Sequence, residues 1–439
     1  MPREAPLHLG VNCVGIGNYD GVWRRPGIDP LGTSGADYYV RVAQTAERGL
    51  FDAVFTADAP GLMPAWEAEP QKNSVDPILA MTVAAQATEF VGVVPTVSTS
   101  WHHPWNLART LQSLDRISHG RAGWNAVTSY SPMAAASFGL EQVPAKEQRY
   151  ARAAEFVEVV DRLWRTWAPD AIVADKATGR FARPGGVHPV EHRGEFFTVL
   201  GGGVVPRSEQ GLPVVFQAGG SPEGFALAAR FADATFAATA TPHGAQDYRR
   251  RLDAASAAAR SPGRARVMAF PGMIVTLGST DEEAARRSDE FFTPEMDAAN
   301  LRLLASFLGV DASQLDPDAP LSIDPATFEE RRKVTSEGNL RAVQYVAETG
   351  RTVREIGRFS WGHISVVGGP KTVADKMEDF FATGAVDGFN LMFDVTDETF
   401  PAFVDEVVPI LQERGLFRRQ YTAKTLRGHL GLPVPGDLT

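Results

Sequence analysis

The feature that most constrains the fold is a repeated alternation of short apolar runs with longer segments of helical periodicity. A parallel strand covered on both faces is apolar at successive residues, and helices between such strands indicate βαβ units. Eight runs of this kind occur along the chain, as many as a closed eight-stranded barrel needs. We therefore predict an α/β fold, a (β/α)₈ TIM barrel. The predicted strands are 7–14, 51–56, 91–97, 121–128, 213–217, 233–237, 267–276 and 388–393.

Two segments interrupt the alternation. Residues 168–212 are rich in Gly and Pro, and residues 280–357 contain the turn-rich run 316–320 between charged, helical pieces. Neither carries enough periodic apolar sequence for a core of its own, so we predict a single domain over 1–439 with two insertions. Long insertions in a barrel usually follow the carboxyl ends of strands, where active sites lie. We interpret 280–357 as a lid.

Composition excludes several classes of protein. The 439 residues include 43 Lys and Arg against 53 Asp and Glu, and this net charge of −10 argues against a phosphate-binding nucleic-acid scaffold. The single cysteine, Cys13, cannot form a disulfide framework. No run approaches 18 apolar residues, and residues 1–10 lack the apolar core of a signal peptide. We expect a cytoplasmic protein that binds neither nucleic acid nor membrane.

Asn125 is a candidate ligand-binding residue in the run 120–129, a predicted strand with the polar exit Thr128-Ser129. An amide inside an otherwise apolar strand needs hydrogen-bond partners, and a polar ligand supplies them. The alternative is a buried strand that simply has a polar exit.

The run 217–224 places two glycines before Ser221 and Pro222, a typical N-cap and first helical residue. Exposed N–H groups and the helix dipole favour an anion at such a helix start. The alternative is a capped helix after a tight turn. The run is neither a Walker loop nor a complete Rossmann fingerprint.

Polar residues also follow the second and third predicted strands. Asp58 ends the second strand, and its carboxylate can accept a hydrogen bond from a ligand N–H or hydroxyl. An ordinary loop aspartate explains this position equally well. His102 and His103 follow the third strand. A metal site there is disfavoured, because adjacent histidines point apart and no carboxylate or cysteine is near in sequence. We therefore predict no metal site and a hydrogen-bonding histidine. The chain has neither a nucleophile elbow nor an H-E-x-x-H motif, which points to chemistry supplied by an organic cofactor.

Several runs, in this order, resemble one known family over almost the whole chain. The family is the bacterial luciferase-like superfamily, and within it the two-component FMN-dependent monooxygenases of the nitrilotriacetate and dibenzothiophene-sulfone monooxygenase type. The runs that carry the resemblance are 22–26, 46–52 leading to Asp58, 106–115, 120–129, 217–221 and 366–370.

The resemblance implies a barrel that takes reduced FMN from a separate NAD(P)H:flavin reductase, met transiently or through free diffusion. It implies oxygenation of a small organic substrate with O₂, by C–N or C–S cleavage or by hydroxylation, in a homodimer or homotetramer. By analogy Asp58 and Thr96 contact the flavin ring, and Gly220 and Ser221 bind the phosphate. The ribityl and phosphate side is held by Asn125, Ser129 and Tyr150.

The remaining site predictions concern catalysis and the substrate. We expect His102 or His103 to hydrogen-bond the reacting group. The predicted substrate residues are Trp23, Arg24, Trp101, Trp361 and His363. Core packing is an equal alternative for the tryptophans. Two competing functions stay open: an F420-dependent oxidoreductase on the same barrel, which ignores oxygen, and a non-catalytic flavin-binding barrel. Substrate identity does not follow from the resemblance, because loops 17–21 and 201–204 depart from the family's pattern.

Overall fold

The computed structural model describes residues 6–58, 60–62, 67, 69–72, 74–260, 264–358 and 362–436. Thirteen strands occur within these described ranges: β1 (His8–Cys13), β2 (Ala53–Thr56), β3 (Gly92–Ser98), β4 (Gly123–Val127), β5 (Ile172–Asp175), β6 (Arg180–Ala182), β7 (Val190–Arg193), β8 (Thr198–Gly201), β9 (Val214–Ala218), β10 (Ala234–Ala237), β11 (Met268–Leu277), β12 (Ile364–Gly368) and β13 (Gly388–Phe393).

Eight of these strands close into a parallel barrel in the order β1-β2-β3-β4-β9-β10-β11-β13, with β13 pairing back to β1. The predicted TIM barrel is confirmed, and each predicted strand overlaps one barrel strand. All eight are parallel because a helical connection returns the chain to the same end of the sheet each time.

A ninth parallel strand, β12, was not predicted. The first half of β11 pairs with β10, and its second half (Met273–Leu277) pairs with β12 (Ile364–Gly368). This extra strand extends the barrel wall beyond β10 and brings His363 beside Gly272.

The helices are α1 (Ala36–Arg48), α2 (Pro77–Gln86), α3 (Pro104–Ile117), α4 (Pro132–Ser137), α5 (Lys146–Trp164), α6 (Pro222–Phe231), α7 (Pro242–Ala259), α8 (Asp281–Asp289), α9 (Pro294–Leu308), α10 (Pro325–Arg331), α11 (Glu337–Ala347), α12 (Val353–Arg358), α13 (Pro370–Ala382), α14 (Thr396–Ala402), α15 (Val408–Glu413) and α16 (Leu426–His429). A π-helical turn, Phe403–Val407, joins α14 to α15. Many helices start with a capping side chain followed by proline, as at Ser221-Pro222 and Thr241-Pro242. Proline suits the first helical position, because its missing N–H would have no partner there. No helix in the described part of the chain is long and apolar enough to cross a membrane.

The two interrupting segments fold differently. Residues 168–212 form two small antiparallel hairpins, β5–β6 and β7–β8. Residues 280–357 form helices α8 to α12. Contrary to the expectation that it lacks core-forming sequence, this second segment buries an apolar cluster that includes Leu304, Leu340 and Ile356.

The end of the chain closes the barrel at the amino ends of its strands. Leu426, Leu430 and Leu432 belong to the same buried cluster as Phe216 and Phe270 of β9 and β11. This packing fills the lower interior with apolar side chains and leaves the carboxyl ends of the strands for polar groups.

An ion network ties the same closing segment to the barrel. Buried Asp52 accepts hydrogen bonds from Arg418 and from the Leu9 N–H, and its carboxylate also lies 3.0 Å from His8 Nδ1. Although burial opposes ionisation, the charges of Arg418 and His8 lower the pKa of Asp52 to about 2.

Candidate functional site

A cavity of about 500 Å³ opens at the carboxyl ends of the barrel strands. Four predicted residues line it: Asp58, Thr96, Asn125 and Ser129. They lie on or just after β2, β3 and β4, so the parallel strands bring them to one edge. Much of the remaining wall is apolar, as is typical of pockets that hold a ring with a few placed polar groups.

Thr96 and Asn125 form the buried polar centre of one wall. They are register partners on β3 and β4, and Asn125 Nδ2 donates to Thr96 Oγ1 over 2.9 Å. Asn125 is 5% exposed, and its Oδ1 has no partner among the described residues. Nearby, Ser129 Oγ donates to Ser98 Oγ over 2.8 Å. This wall therefore has an unused acceptor that faces the cavity.

Two further asparagines, which sequence reasoning missed, line the same cavity: Asn12 on β1 and Asn390 on β13. Within the described structure, Asn12 Oδ1 and both amide atoms of Asn390 are buried without a hydrogen-bond partner. The signal that identified Asn125, an amide inside an apolar strand, is present at both positions. A search of every predicted strand for an internal asparagine finds Asn12, Asn125 and Asn390.

A second cavity of about 290 Å³ adjoins the first, and both share lining residues at the ends of β4, β9 and β10. Its walls include four predicted residues: Tyr150, Gly220, Ser221 and His363. Ser221 caps α6, since its Oγ accepts a hydrogen bond from the Gly224 N–H over 3.2 Å. The predicted turn and helix start at 217–224 are therefore present, and the helix start faces a cavity.

A second helix start faces the first across this cavity. Ser336 caps α11, and both Ser336 and Gly338 line the cavity. The two backbones approach closely, because a Cβ added to Gly220 would lie 2.9 Å from Gly338 Cα. Two helix dipoles thus direct their positive ends to one space, which favours an anion.

Cationic side chains line the same cavity. Arg149 donates to the main-chain oxygens of Pro144 and Ser129, and Lys333 lies exposed at the rim. Lys146 also lines the cavity but is paired with Glu223 over 2.7 Å. Among the residues described, Arg149 and Lys333 have no carboxylate within ion-pair distance, so their charges are available to an anion.

His363 lies at the junction of β12 with the cavity wall. Its ring stacks on Phe236 with centroids 5.4 Å apart, in space that a side chain on Gly272 would occupy. Burial lowers the pKa of His363 to about 4, so the imidazole is neutral at pH 7. Its buried Nδ1 has no partner within the described part of the chain.

The structure does not bring the two predicted catalytic histidines into either cavity. His102 and His103 are exposed, and His103 caps α3 by accepting from the Trp105 N–H over 3.3 Å. Partial desolvation by the surrounding protein nonetheless lowers the pKa of the His102 imidazole. Trp101 also lies outside both cavities and stacks on Phe138, with ring centroids 5.0 Å apart.

Trp23 and Arg24, two further predicted substrate residues, likewise line neither of these cavities. Trp23 and Arg24 belong to a short 3₁₀ turn, where Arg24 stacks on the indole and pairs with Glu69 over 2.9 Å. Trp23 lines a small crevice between that turn and Lys72. Trp361 lies outside the described residues. No cluster of three or more His, Cys, Asp or Glu placed to hold a metal ion occurs among the residues described.

Comparison with known proteins identifies the family. Residues 22–387 match the family described as luciferase-like monooxygenase. The chain is 36% identical over 442 residues to N-acetyl-S-(2-succino)cysteine monooxygenase of Bacillus subtilis (strain 168), covering 99% of this chain and 98% of that one. It is also 36% identical over 455 residues to nitrilotriacetate monooxygenase component A of Aminobacter aminovorans, with the same two coverages.

A solved structure gives the same result. EDTA monooxygenase from Chelativorans sp. BNC1 superposes with a TM-score of 0.81 at 32% identity, over 98% of this chain and 99% of that one. The resemblance found in the sequence is confirmed, and the chain belongs to the luciferase-like monooxygenase family.

Proposed function

We propose that the protein is a monooxygenase that binds reduced FMN and uses it with O₂ to oxygenate a small organic substrate. The similar proteins named above are monooxygenases. The observation that carries the proposal is the anion-favouring cavity between α6 and α11, which adjoins a larger cavity with polar groups on apolar walls.

The residues of the smaller cavity fit a phosphate monoester. Ser221 and the N–H groups at the start of α6 lie on one side, and the start of α11 lies on the other. Arg149 and Lys333 add positive charge. Glycine at 220 is required because the facing backbone leaves no room for a Cβ. Tyr150, whose hydroxyl would lie 3.4 Å from a Cβ on Gly219, also lines this cavity.

The larger cavity fits the flavin ring, with Asp58, Thr96, Asn125 and Ser129 offering hydrogen bonds at its edge. When bound, reduced FMN supplies the electrons with which one atom of O₂ enters the substrate and the other leaves as water. The protein's own task is to place the ring and substrate together and to exclude water.

Residues 280–357 serve as the cover in this proposal, since Lys333, Ser336 and Gly338 of that segment already form one wall of the smaller cavity. The covered region keeps water away from the ring, and the neutral imidazole of His363 can hydrogen-bond the substrate without carrying charge. His102 and His103 stay proposed catalytic residues, and Trp23, Arg24, Trp101 and Trp361 stay proposed substrate residues. Trp101, His102 and His103 follow the carboxyl end of β3, and Trp23 and Arg24 lie in the connection that follows β1.

The partners follow from the same proposal. Reduced FMN comes from a separate NAD(P)H:flavin reductase, by transient contact or by free diffusion. We propose a cytoplasmic homodimer or homotetramer.

The test is an anaerobic titration of the protein with reduced FMN, followed by turnover with O₂ and a panel of small substrates. We expect saturable binding, and about tenfold weaker binding in Ser221→Ala, because a charge-assisted hydrogen bond to the phosphate is lost. Thr241→Ala is the matched control: Thr241 also caps a helix through the N–H of its third residue, Gly244, but lines neither cavity. Absence of reduced-FMN binding, or tight binding of F420 instead, would refute the proposal.

A further inference from the structure

The amides of Asn12 and Asn390 are buried polar groups of the described barrel that lack hydrogen-bond partners. Asn390 is 1% exposed and Asn12 is 7% exposed. Asn12 Oδ1 and both amide atoms of Asn390 make no hydrogen bond within the described residues, although each buried polar atom of this kind costs about 1–3 kcal/mol. Both side chains line the 500 Å³ cavity, so a ligand there can satisfy them.

The neighbouring strands keep this part of the wall open. Asn390 pairs in register with Gly10 of β1 on one side and with Gly272 of β11 on the other. A Cβ on Gly10 would lie 3.2 Å from Asn390 Oδ1 and 3.1 Å from the Phe55 ring. Glycine at position 10 therefore leaves Asn390 Oδ1 uncrowded on the β1 side, while the space beside Gly272 is filled by the His363 ring.

The amides lie on the wall opposite the proposed phosphate site. Around the barrel, β1 and β13 are three or four strands removed from β4 and β9, whose ends border Ser129 and Ser221. A ligand anchored by its phosphate near Ser221 thus presents the far edge of its ring system to Asn12 and Asn390.

We propose that Asn390 binds the imide edge of the flavin's pyrimidine ring; this inference rests on the proposed function. A carboxamide has one acceptor and one donor side by side, and an imide edge presents N–H flanked by two carbonyls. Asn390 Oδ1 accepts from the imide N3–H while Nδ2 donates to an adjoining carbonyl. The dimethylbenzene edge of the ring has no group that satisfies these atoms.

The probe is N3-methyl FMN, reduced, compared with reduced FMN in anaerobic titrations. The methyl group removes the donor that Asn390 Oδ1 needs, so wild-type protein should bind the analogue at least about tenfold more weakly. In Asn390→Ala and Asn390→Leu, reduced FMN should bind about tenfold more weakly, and the two flavins should bind within about twofold of each other. The exposed Asn106→Ala is the matched control and should discriminate as wild type does.

The outcomes distinguish failure of the proposed function from failure of the proposed role of Asn390. No binding of reduced FMN to wild type overturns the proposed function. Normal binding of reduced FMN with equal binding of N3-methyl FMN to wild type overturns the role of Asn390, even if both variants fail to fold. Full discrimination that persists in a folded Asn390 variant overturns it as well.

Discussion

The close approach of Gly220 and Gly338 predicts opposite effects for the same substitution at two touching positions. In Gly220→Ala the new Cβ would lie 2.9 Å from Gly338 Cα, which is main chain and cannot turn aside. In Gly338→Ala the nearest atom would be Gly220 Cα at 3.4 Å, an ordinary contact. Gly338 is the second residue of α11, where alanine favours the helix.

The magnitudes follow from these distances. Carbon atoms pack best at about 3.5–4.0 Å, so Gly220→Ala forces α6 and α11 apart, at a cost typical of overpacking, about 1–3 kcal/mol. Gly338→Ala meets no such contact and reduces the entropy of the unfolded chain, which stabilises by about 0.4–1 kcal/mol. The difference between the two variants should therefore be at least about 1.4 kcal/mol.

Urea unfolding of both variants beside wild type measures this difference. Because Gly220→Ala also separates the two helix starts, its affinity for reduced FMN should fall about tenfold or more. Loss of stability of equal size in both variants would refute the close approach of the helices. A destabilised Gly220→Ala that keeps full affinity would instead refute the phosphate site between them.

Three further predictions concern ionisable side chains. The pKa of Asp52 is about 2 in the folded protein against 3.8 unfolded, so its stabilisation is complete above about pH 4 and is lost as pH falls towards 2. Acid unfolding should show a loss of about 2 kcal/mol in this window, absent in Asp52→Asn. Arg24→Ala should raise KM with little loss of reduced-FMN affinity in steady-state and binding assays; the reverse would assign Arg24 to the flavin. Since the pKa of His363 is about 4, His363→Gln should leave the activity profile unchanged between pH 6 and 8, as pH–rate measurements would show.

The barrel was predictable because each strand is a short apolar run that fits only a sheet covered on both faces. β12 was missed because it follows a long helical segment and alternates polar Ser365 with apolar neighbours. The cavity residues Asp58 and Asn125 were accessible from their places in the predicted strands, since parallel strands place their carboxyl ends at one edge. Thr96 was predicted from the family resemblance.

Other features depend on packing between distant segments. The approach of Gly220 to Gly338 joins residues more than a hundred positions apart, and nothing local in either run indicates it. The cap-and-proline pattern is likewise insufficient to locate a cavity residue. His103 precedes Pro104 in the same pattern as Ser221-Pro222, and both residues cap helices, but of the two Ser221 alone lines a cavity.

The three cavity asparagines connect stability with function. Polar atoms buried without partners destabilise the ligand-free protein. Replacing one of these asparagines with an apolar residue should therefore raise the free energy of unfolding of the ligand-free protein and lower its affinity for the ligand. Asn390→Leu is therefore expected to be at least as stable as wild type without flavin. A ligand stabilises by RT ln(1 + [L]/Kd), so at an equal concentration of reduced FMN the variant should gain about 1.4 kcal/mol less for each tenfold rise in Kd. Unfolding measured anaerobically with and without reduced FMN gives both quantities. A variant less stable in the absence of flavin, with an undiminished gain in its presence, would show that Asn390 supports the barrel and not the ligand.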